Sequence, residues 1–533
     1  VMILQPTPLH RHVSFPSTSS YSISPPGGFR VIFLPPAFPR HDSSAISCSV
    51  SGTSGHRTVD YERRPSVKWS DVYRRISFME NPEMGSASVL NQWESEGKRL
   101  TKWELCRVIK ELRKFRKFRP ALEVYEWMNN RIRISCSDAA IQLDLVSKVR
   151  GIQGAEDFFT SLPDNLKDGR THGALLNAYA QAKMKDKAEV VLNTMRNKGY
   201  VTAALSLNVM MTLYMNLREY DKVEMIISEM SQNNIPLDAY SYNIWLSSRG
   251  FQGWLEGMEQ SFAQMELDQT VTLNWTTFTT MATVYIKSGQ LEKADECLKK
   301  AEVRIFGMVR MPYHFLISLY GSIGNKGEVL RLWDAYKSGF QIITNAGYLA
   351  VISSLVRIGD FEMGKRIYEE WLGVKRHYDP RIGNLIIGWH ARQGSLEKAE
   401  EFLEHMVEVG GKPNSATWES LAWGHARHGR AVGALSCLKE AGLVAGSKRW
   451  RPRRGCVVSV WERCEAEGDG ESKEGLMELL GERGLLENRV YAVIVGLAPA
   501  LKEAELPEED DEKGGGDGGG VEALLGQLQS SAP

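Results

Sequence analysis

Five glycines stand at equal intervals of 35 residues along one stretch of this chain: Gly289, Gly324, Gly359, Gly394 and Gly429. The hexapeptide Gly289-Gln290-Leu291-Glu292-Lys293-Ala294 returns three periods later as Gly394-Ser395-Leu396-Glu397-Lys398-Ala399. Tyr179 and Tyr214 share the interval, as do Tyr285 and Tyr320, and Met195, Met230 and Met265. A fixed period of this length belongs to tandem arrays, in which each unit buries its apolar face only against its neighbours.

Within one period the apolar residues follow helical spacing. Leu291, Ala294, Leu298 and Ala301 recur three and four apart, as do Leu396, Ala399, Leu403 and Met406. A second apolar run precedes each glycine, as at 278–287 and 385–392. The glycine therefore falls between two helices, where a residue without Cβ suits a left-handed turn. Pro236, Pro312, Pro380 and Pro413 lie at junctions between units, where a missing N–H and a fixed φ do least harm. The expected fold is all-α, a right-handed α-solenoid of 35-residue helix–turn–helix repeats with flanking helical caps.

The segments Ala239-Tyr240-Ser241-Tyr242-Asn243 and Val409-Gly410-Gly411-Lys412-Pro413-Asn414-Ser415-Ala416-Thr417-Trp418 resemble pentatricopeptide repeats of the P class. A unit of that family opens on a Thr-Tyr-Asn-like triplet and closes on Gly-x-x-Pro-Asp or a variant. The resemblance covers 99–448, about nine or ten units. The tetratricopeptide array has a period of about 34, which would displace the glycines progressively, and they are not displaced.

The resemblance implies an organellar protein that binds single-stranded RNA in its concave groove. It would act by occupancy in the stability, processing or translation of transcripts, together with other RNA-metabolism proteins. One base is then read per unit by two or three side chains, one early in the first helix and one at the last residue of the unit. Carried over, these are Asn208 with Asp238, Asn243 with Asn274, and Asn384 with Asn414. The first pair implies uracil and the other two a pyrimidine. Thr279 holds the early position of a unit that ends in Val309. Tyr240 and Arg381 fall where the family sandwiches bases between adjacent repeats.

Other units depart from the pattern. Gly173 with Ala203, His314 with Thr344, and Leu349 with Asp379 are not standard pairs, and Ala140 and Glu419 occupy further early positions. Without the resemblance, each Asn reads as an ordinary helix N-cap or a polar residue on an exposed face, and Tyr240 or Arg381 as cover for the seam between repeats. A protein-interaction scaffold of the same fold therefore stands as the second reading.

Outside the array, 1–58 is rich in Ser and Pro, with four Arg, no Lys and the single acid Asp42. This is the composition of an organelle transit peptide. Its prolines would break an amphipathic mitochondrial presequence, which points to the chloroplast with the mitochondrion as alternative. A helical cap is expected at 59–98, another at 449–497, and an acidic, glycine-rich disordered tail at 498–533. The whole chain balances 65 basic against 65 acidic residues. Basic clusters nevertheless stand between Lys98 and Arg133 and from Lys448 to Arg454, where they either meet phosphates or merely solvate helix faces.

No phosphate-binding or dinucleotide-binding glycine motif is present, nor the paired His and Cys signature of a zinc deaminase. His425 and His428, three apart on a helix, have no Cys or carboxylate at ligand spacing. The acidic run 503–512 reads as a solvated tail rather than a two-metal site. Neither catalysis, a cofactor nor a metal is expected. No apolar run reaches the length of about 18 residues that spans a bilayer. The seven cysteines lack a C-x-x-C spacing and read as small core residues.

Overall fold

A computed structural model describes residues 68–79, 84–129, 131–446 and 450–498. The expected transit segment, the tail beyond 498, and Lys448 and Arg449 lie outside the described residues. Every regular element among the described residues is helical. The chain opens with α1 (Lys68–Ser77) and α2 (Gly85–Ser95), then pairs α3 (Lys102–Lys114) with α4 (Phe118–Asn129). The helix α5 (Cys136–Ser161) supplies both members of the next pair, because Gly151 breaks it at φ 77°. The pairs α6 (Gly169–Gln181) and α7 (Lys185–Asn197), α8 (Ala204–Asn216) and α9 (Tyr220–Gln232), and α10 (Ala239–Phe251) and α11 (Leu255–Leu267) follow. After them come α12 (Trp275–Lys287) and α13 (Leu291–Glu302), α14 (Met311–Ser322) and α15 (Lys326–Gly339), and α16 (Asn345–Ile358) and α17 (Phe361–Val374). The last repeats are α18 (Pro380–Arg392) with α19 (Leu396–Glu408) and α20 (Ser415–Arg427) with α21 (Ala431–Ala445), followed by α22 (Arg454–Glu467), α23 (Gly470–Glu482) and α24 (Arg489–Ile494).

The turn inside each unit explains the glycine register. Gly289, Gly324, Gly359, Gly394 and Gly429 all take φ between 70° and 94°. The next residue then bonds back into the first helix, as Gln290 N–H does to Tyr285 O (2.8 Å) and Asn325 N–H to Tyr320 O (3.0 Å). Upstream, the same left-handed place is held by Lys183 (φ 55°) and Arg218 (φ 58°), which the glycine count could not reveal.

First helices of successive units stack on one another from α6 to α22, whereas most second helices there touch only the first helices beside them. Closer packing on one side makes the first helices the inner, concave layer. Small residues permit that approach. A Cβ on Gly250 would meet Val284 Cγ1 at 2.4 Å, and one on Gly321 would meet Ser354 Cβ at 2.5 Å. Ser354 Oγ uses the space to donate to Ile317 O across the seam (3.0 Å). Buried side chains from Leu143 to Ile386 thus form one continuous cluster, the sum of many interfaces between neighbours.

A second device closes the outer seam. Tyr214 Oη and Lys222 Nζ, both in one unit, meet Glu189 Oε1 of the preceding unit at 3.0 and 2.7 Å. Tyr285 and Lys293 meet Glu259 in the same way, both at 2.8 Å. The lysine ammonium beside each of these carboxyls holds it below the usual carboxylate range.

Candidate nucleic-acid interface

The last residue of a unit is the N-cap of the next first helix, and this fixes where the candidate readers lie. Asp238 caps α10, accepting the Ser241 N–H at 2.7 Å, Asn274 caps α12, and Asn414 caps α20. An extended residue whose side-chain oxygen satisfies orphan amides at a helix start is what these residue types do best. Five residues into the preceding first helix, the early-position side chain points at this cap from below.

Asn208 is 3% exposed. Its Nδ2 lies 3.2 and 3.3 Å from the Asp238 carboxylate oxygens, and its Oδ1 accepts from Ser241 Oγ at 2.7 Å. Asn384 repeats the arrangement, donating to Asn414 Oδ1 (3.1 Å) and accepting from Thr417 Oγ1 (2.7 Å). The sequence pairs are therefore contacts across one seam, with the cap outermost and the buried amide beneath it. Asn243 differs. Its Nδ2 donates to Thr276 Oγ1 (3.0 Å) rather than to Asn274, and its buried Oδ1 has no partner among the described residues. The unit 239–274 carries one extra residue, which shifts the cap.

Of the two ordinary roles open to these asparagines, Asn274 and Asn414 take the N-cap and none of the early-position residues is fully exposed: Asn208, Asn243 and Thr279 are buried, and Asn384 is half-buried. Thr279 Oγ1 is turned onto Thr276 O in its own helix (3.0 Å). Tyr240 stands half-buried over the seam, its hydroxyl 3.1 Å from Thr212 Oγ1 of the preceding unit. Arg381 is exposed and folds back onto Asp379, with Nη2 to Oδ2 at 2.7 Å. Asp379 also accepts from Asn345 Nδ2 (3.2 Å), so in the unit 345–379 Asn345 takes the place that Leu349 cannot fill. His314 reaches Thr344 only through Tyr336, whose hydroxyl lies 3.1 Å from His314 Nε2 and 3.4 Å from Thr344 Oγ1. Glu419 is closed off by Trp450 and Arg453, each at 2.7 Å.

The groove-lining stripe of each first helix also carries a feature that sequence reading passed over. Its last residue is a cation in Lys287, Arg357, Arg392 and Arg427, the last three at 35-residue intervals. Arg357 crosses the seam to Ser322 Oγ (2.8 Å) and Ser318 O (3.3 Å). Lys287 lies over the Phe251 ring (4.2 Å) and Arg427 over Trp423 (4.8 Å). Lys287, Arg357 and Arg427 are exposed and take no carboxylate partner among the described residues. Burial, reinforced by the neighbouring Arg453 guanidinium, presses the Arg392 pKa down. Reading the 35-residue interval for charge instead of glycine would have found this row.

The two basic clusters behave otherwise. In the first, Lys98 pairs with Glu96, Lys102 with Asp138, Arg113 with Asp144 and Arg119 with Glu123. In the second, Arg453 is paired with Glu419. Part of this charge is thus held by carboxylates inside the fold.

Among the described residues no group of three or more His, Cys, Asp or Glu is placed to hold a metal ion, and no helix is long and apolar enough to cross a membrane. His425 Nε2 faces Glu400 (3.2 Å), while His428 bonds the carbonyls of Gly424 and Gly394 at 2.8 and 2.9 Å. Trp93, Trp127 and Trp371 are buried and Trp389 stacks on Phe361 at 3.7 Å, whereas Trp103 is 63% exposed.

Comparison with known proteins gives the following. The family model described as PPR repeat matches residues 170–200, 205–235, 276–304 and 384–411. A pentatricopeptide repeat-containing protein of Arabidopsis thaliana is 53% identical over 497 residues, covering 93% of this chain and 94% of that one. A second from that plant, whose name carries the word mitochondrial, is 36% identical over 79% of this chain and 86% of its own. The large ribosomal subunit protein mL101 (rPPR4) of Arabidopsis thaliana is 33% identical, over 80% of this chain and 87% of that one. A crystal structure of the maize pentatricopeptide repeat protein PPR10 aligns at 15% identity with a TM-score of 0.37, over 81% of this chain and 66% of that one.

Proposed function

This chain belongs to the pentatricopeptide repeat family, and from that premise we propose that it binds single-stranded RNA along its inner helical layer, inside a plant organelle. The observation that carries the reading is the row Lys287, Arg357 and Arg427, exposed on the inner stripe without carboxylate partners, with Arg392 between the last two. Cations at the C-terminal ends of helices are favoured by the local dipole. A regular row of them suits a polyanion whose phosphates neutralise charge and release counterions. Base recognition is assigned to the caps Asp238, Asn274 and Asn414, backed by Asn208, Asn243 and Asn384, with Thr279 contributing least. Tyr240 and Arg381 are assigned to stacking at the seams. The array acts as a P-class protein, by occupancy, in the stability, processing or translation of a transcript.

Crosslinking and immunoprecipitation from isolated organelles tests this, with Arg357→Gln/Arg392→Gln/Arg427→Gln and Asn208→Ala/Asn243→Ala/Asn384→Ala in parallel. A discrete transcript, lost in the asparagine variant and weakened uniformly in the arginine variant, is the expected result. Absence of any RNA footprint from the unaltered chain defeats the reading. A fluorescent fusion of residues 1–58 decides the organelle. Their composition favours the chloroplast, and names such as that of the second relative favour the mitochondrion.

A second reading is favoured by one observation. Asn208 and Asn384 are each satisfied within the fold, and three successive units (275–379) lack a standard pair. The relative mL101 is named as a ribosomal subunit protein. A scaffold that seats in a ribonucleoprotein assembly fits those facts, and recovery of proteins without an RNA footprint would establish it.

A further inference from the structure

We propose that the acidic segment 503–512 of this chain's own C-terminus occupies the arginine row in the absence of RNA and is displaced when RNA binds. The cations of the row differ from those elsewhere in the array. Lys185, Arg196, Lys222, Lys293 and Arg331 each hold a glutamate within 2.6 to 2.8 Å. Lys287, Arg357 and Arg427 hold none among the described residues, so the fold leaves positive charge on the inner stripe unanswered.

The chain as a whole is neutral, and its most concentrated negative charge lies close by in sequence. Between 503 and 512 stand Glu503, Glu505, Glu508, Glu509, Asp510, Asp511 and Glu512, with no basic residue among them. The C-terminal helices carry the chain to the α20 end of the row by residue 498. Helix α24 packs on α22, with Tyr491 Oη bonded to Pro452 O (2.7 Å), and α22 packs on α20, whose last residue is Arg427.

The reach is sufficient. Five to fourteen residues separate 498 from the acids, which at roughly 3.3 Å per residue spans about 17 to 46 Å. Neighbouring helices are about 8–10 Å apart, so Arg427, Arg392 and Arg357 lie within about 30 Å of the α22 layer. A tether this short gives a local concentration on the order of millimolar, so a weak electrostatic contact is populated. Both the contact and its competition with RNA fade as salt shortens the Debye length.

The consequence for RNA rests on the reading above, but the docking itself does not, and the experiment separates them. The full chain is compared with a full-length variant in which the seven acids become Gln or Asn, using fluorescein-labelled oligouridylate and, separately, a fluorescein-labelled peptide of residues 499–533. At about 50 mM salt the neutralised chain is expected to bind oligouridylate about tenfold more tightly than the natural one, the gap closing by about 300 mM. It is also expected to bind the peptide, and to lose it on Arg357→Glu/Arg392→Glu/Arg427→Glu. Equal oligouridylate affinities together with no peptide binding would overturn the proposal. Peptide binding that depends on the three arginines, with no oligouridylate bound by either chain, would uphold the tail contact and sink the RNA reading alone.

Discussion

Asn208 lies beneath Asp238, its amide nitrogen 3.2 and 3.3 Å from the two carboxylate oxygens of the cap above it. The contact joins one unit to the next before any ligand arrives, so the side chain has a structural duty. Hydrogen bonds to a charged partner contribute about 1.5–3 kcal/mol, and neutral ones about 1. Asn208→Ala is therefore expected to weaken the first turn of α10, raising amide exchange at Ser241 roughly tenfold without RNA. Asn384→Ala, facing the neutral Asn414, should do so at Thr417 by a smaller factor. Equal effects at the two seams would show that the charge of Asp238 does not matter.

Tyr320 occupies the place of Tyr214 and Tyr285 but lacks their partner. Its hydroxyl is buried without a bond among the described residues, and so is Oδ1 of Asp295, which stands where Glu189 and Glu259 stand in other units. Aspartate is one methylene shorter and does not reach. A buried unsatisfied group costs about 1–3 kcal/mol, so Tyr320→Phe should leave stability unchanged or raise it slightly. Tyr285→Phe, which removes a 2.8 Å bond to Glu259, should cost about 1.5 kcal/mol. Urea unfolding of the two variants makes the comparison, and a loss at Tyr320 matching that at Tyr285 would refute it.

Lys183 holds a left-handed turn that six other units, from Gly253 to Gly429, give to glycine. An L-residue there bears about 1–2 kcal/mol of backbone strain, partly offset by the entropy that glycine loses on folding. Lys183→Gly should stabilise the array by about 0.5–1 kcal/mol. Gly324→Ala, at φ 76° with open space around the added Cβ, should destabilise it by about 1 kcal/mol through the backbone alone. Thermal midpoints moving in opposite directions are the signature.

Much of this architecture was legible from Gly289 to Gly429, because a turn that needs positive φ keeps its glycine in register. Upstream the register hides. Lys183 and Arg218 hold the turn without glycine, and Gly151 lies 32 residues before Lys183 rather than 35. The candidate pairs were legible as positions but not as contacts. Whether an Asn faces solvent or a capping carboxylate depends on how far one first helix slides past the next. That slide is set by pairs such as Gly250 with Val284. The extra residue in 239–274 and the exchange of Leu349 for Asn345 as the partner of Asp379 were invisible for the same reason. The cation row was visible in principle, since three of its members keep the period.

His314 gives a sharply defined pH response. Burial, reinforced by the Arg310 guanidinium, pushes its pKa down to about 4. In the unfolded chain the imidazole takes up a proton near 6.5. The folded chain resists that proton, so the contribution of His314 is fully present above about pH 6.5 and is lost as pH falls towards 4. Each pH unit in that window removes up to about 1.4 kcal/mol, or roughly 2 kcal/mol between pH 6.5 and 5. The depressed carboxyls of Glu189 and Glu259 act lower, their contribution fading below about pH 4.5. Urea midpoints at pH 7 and pH 5 should therefore differ strongly in the natural chain and much less in His314→Phe, whose ring keeps the packing against Tyr336. A variant that retained the full difference would place the titrating group elsewhere.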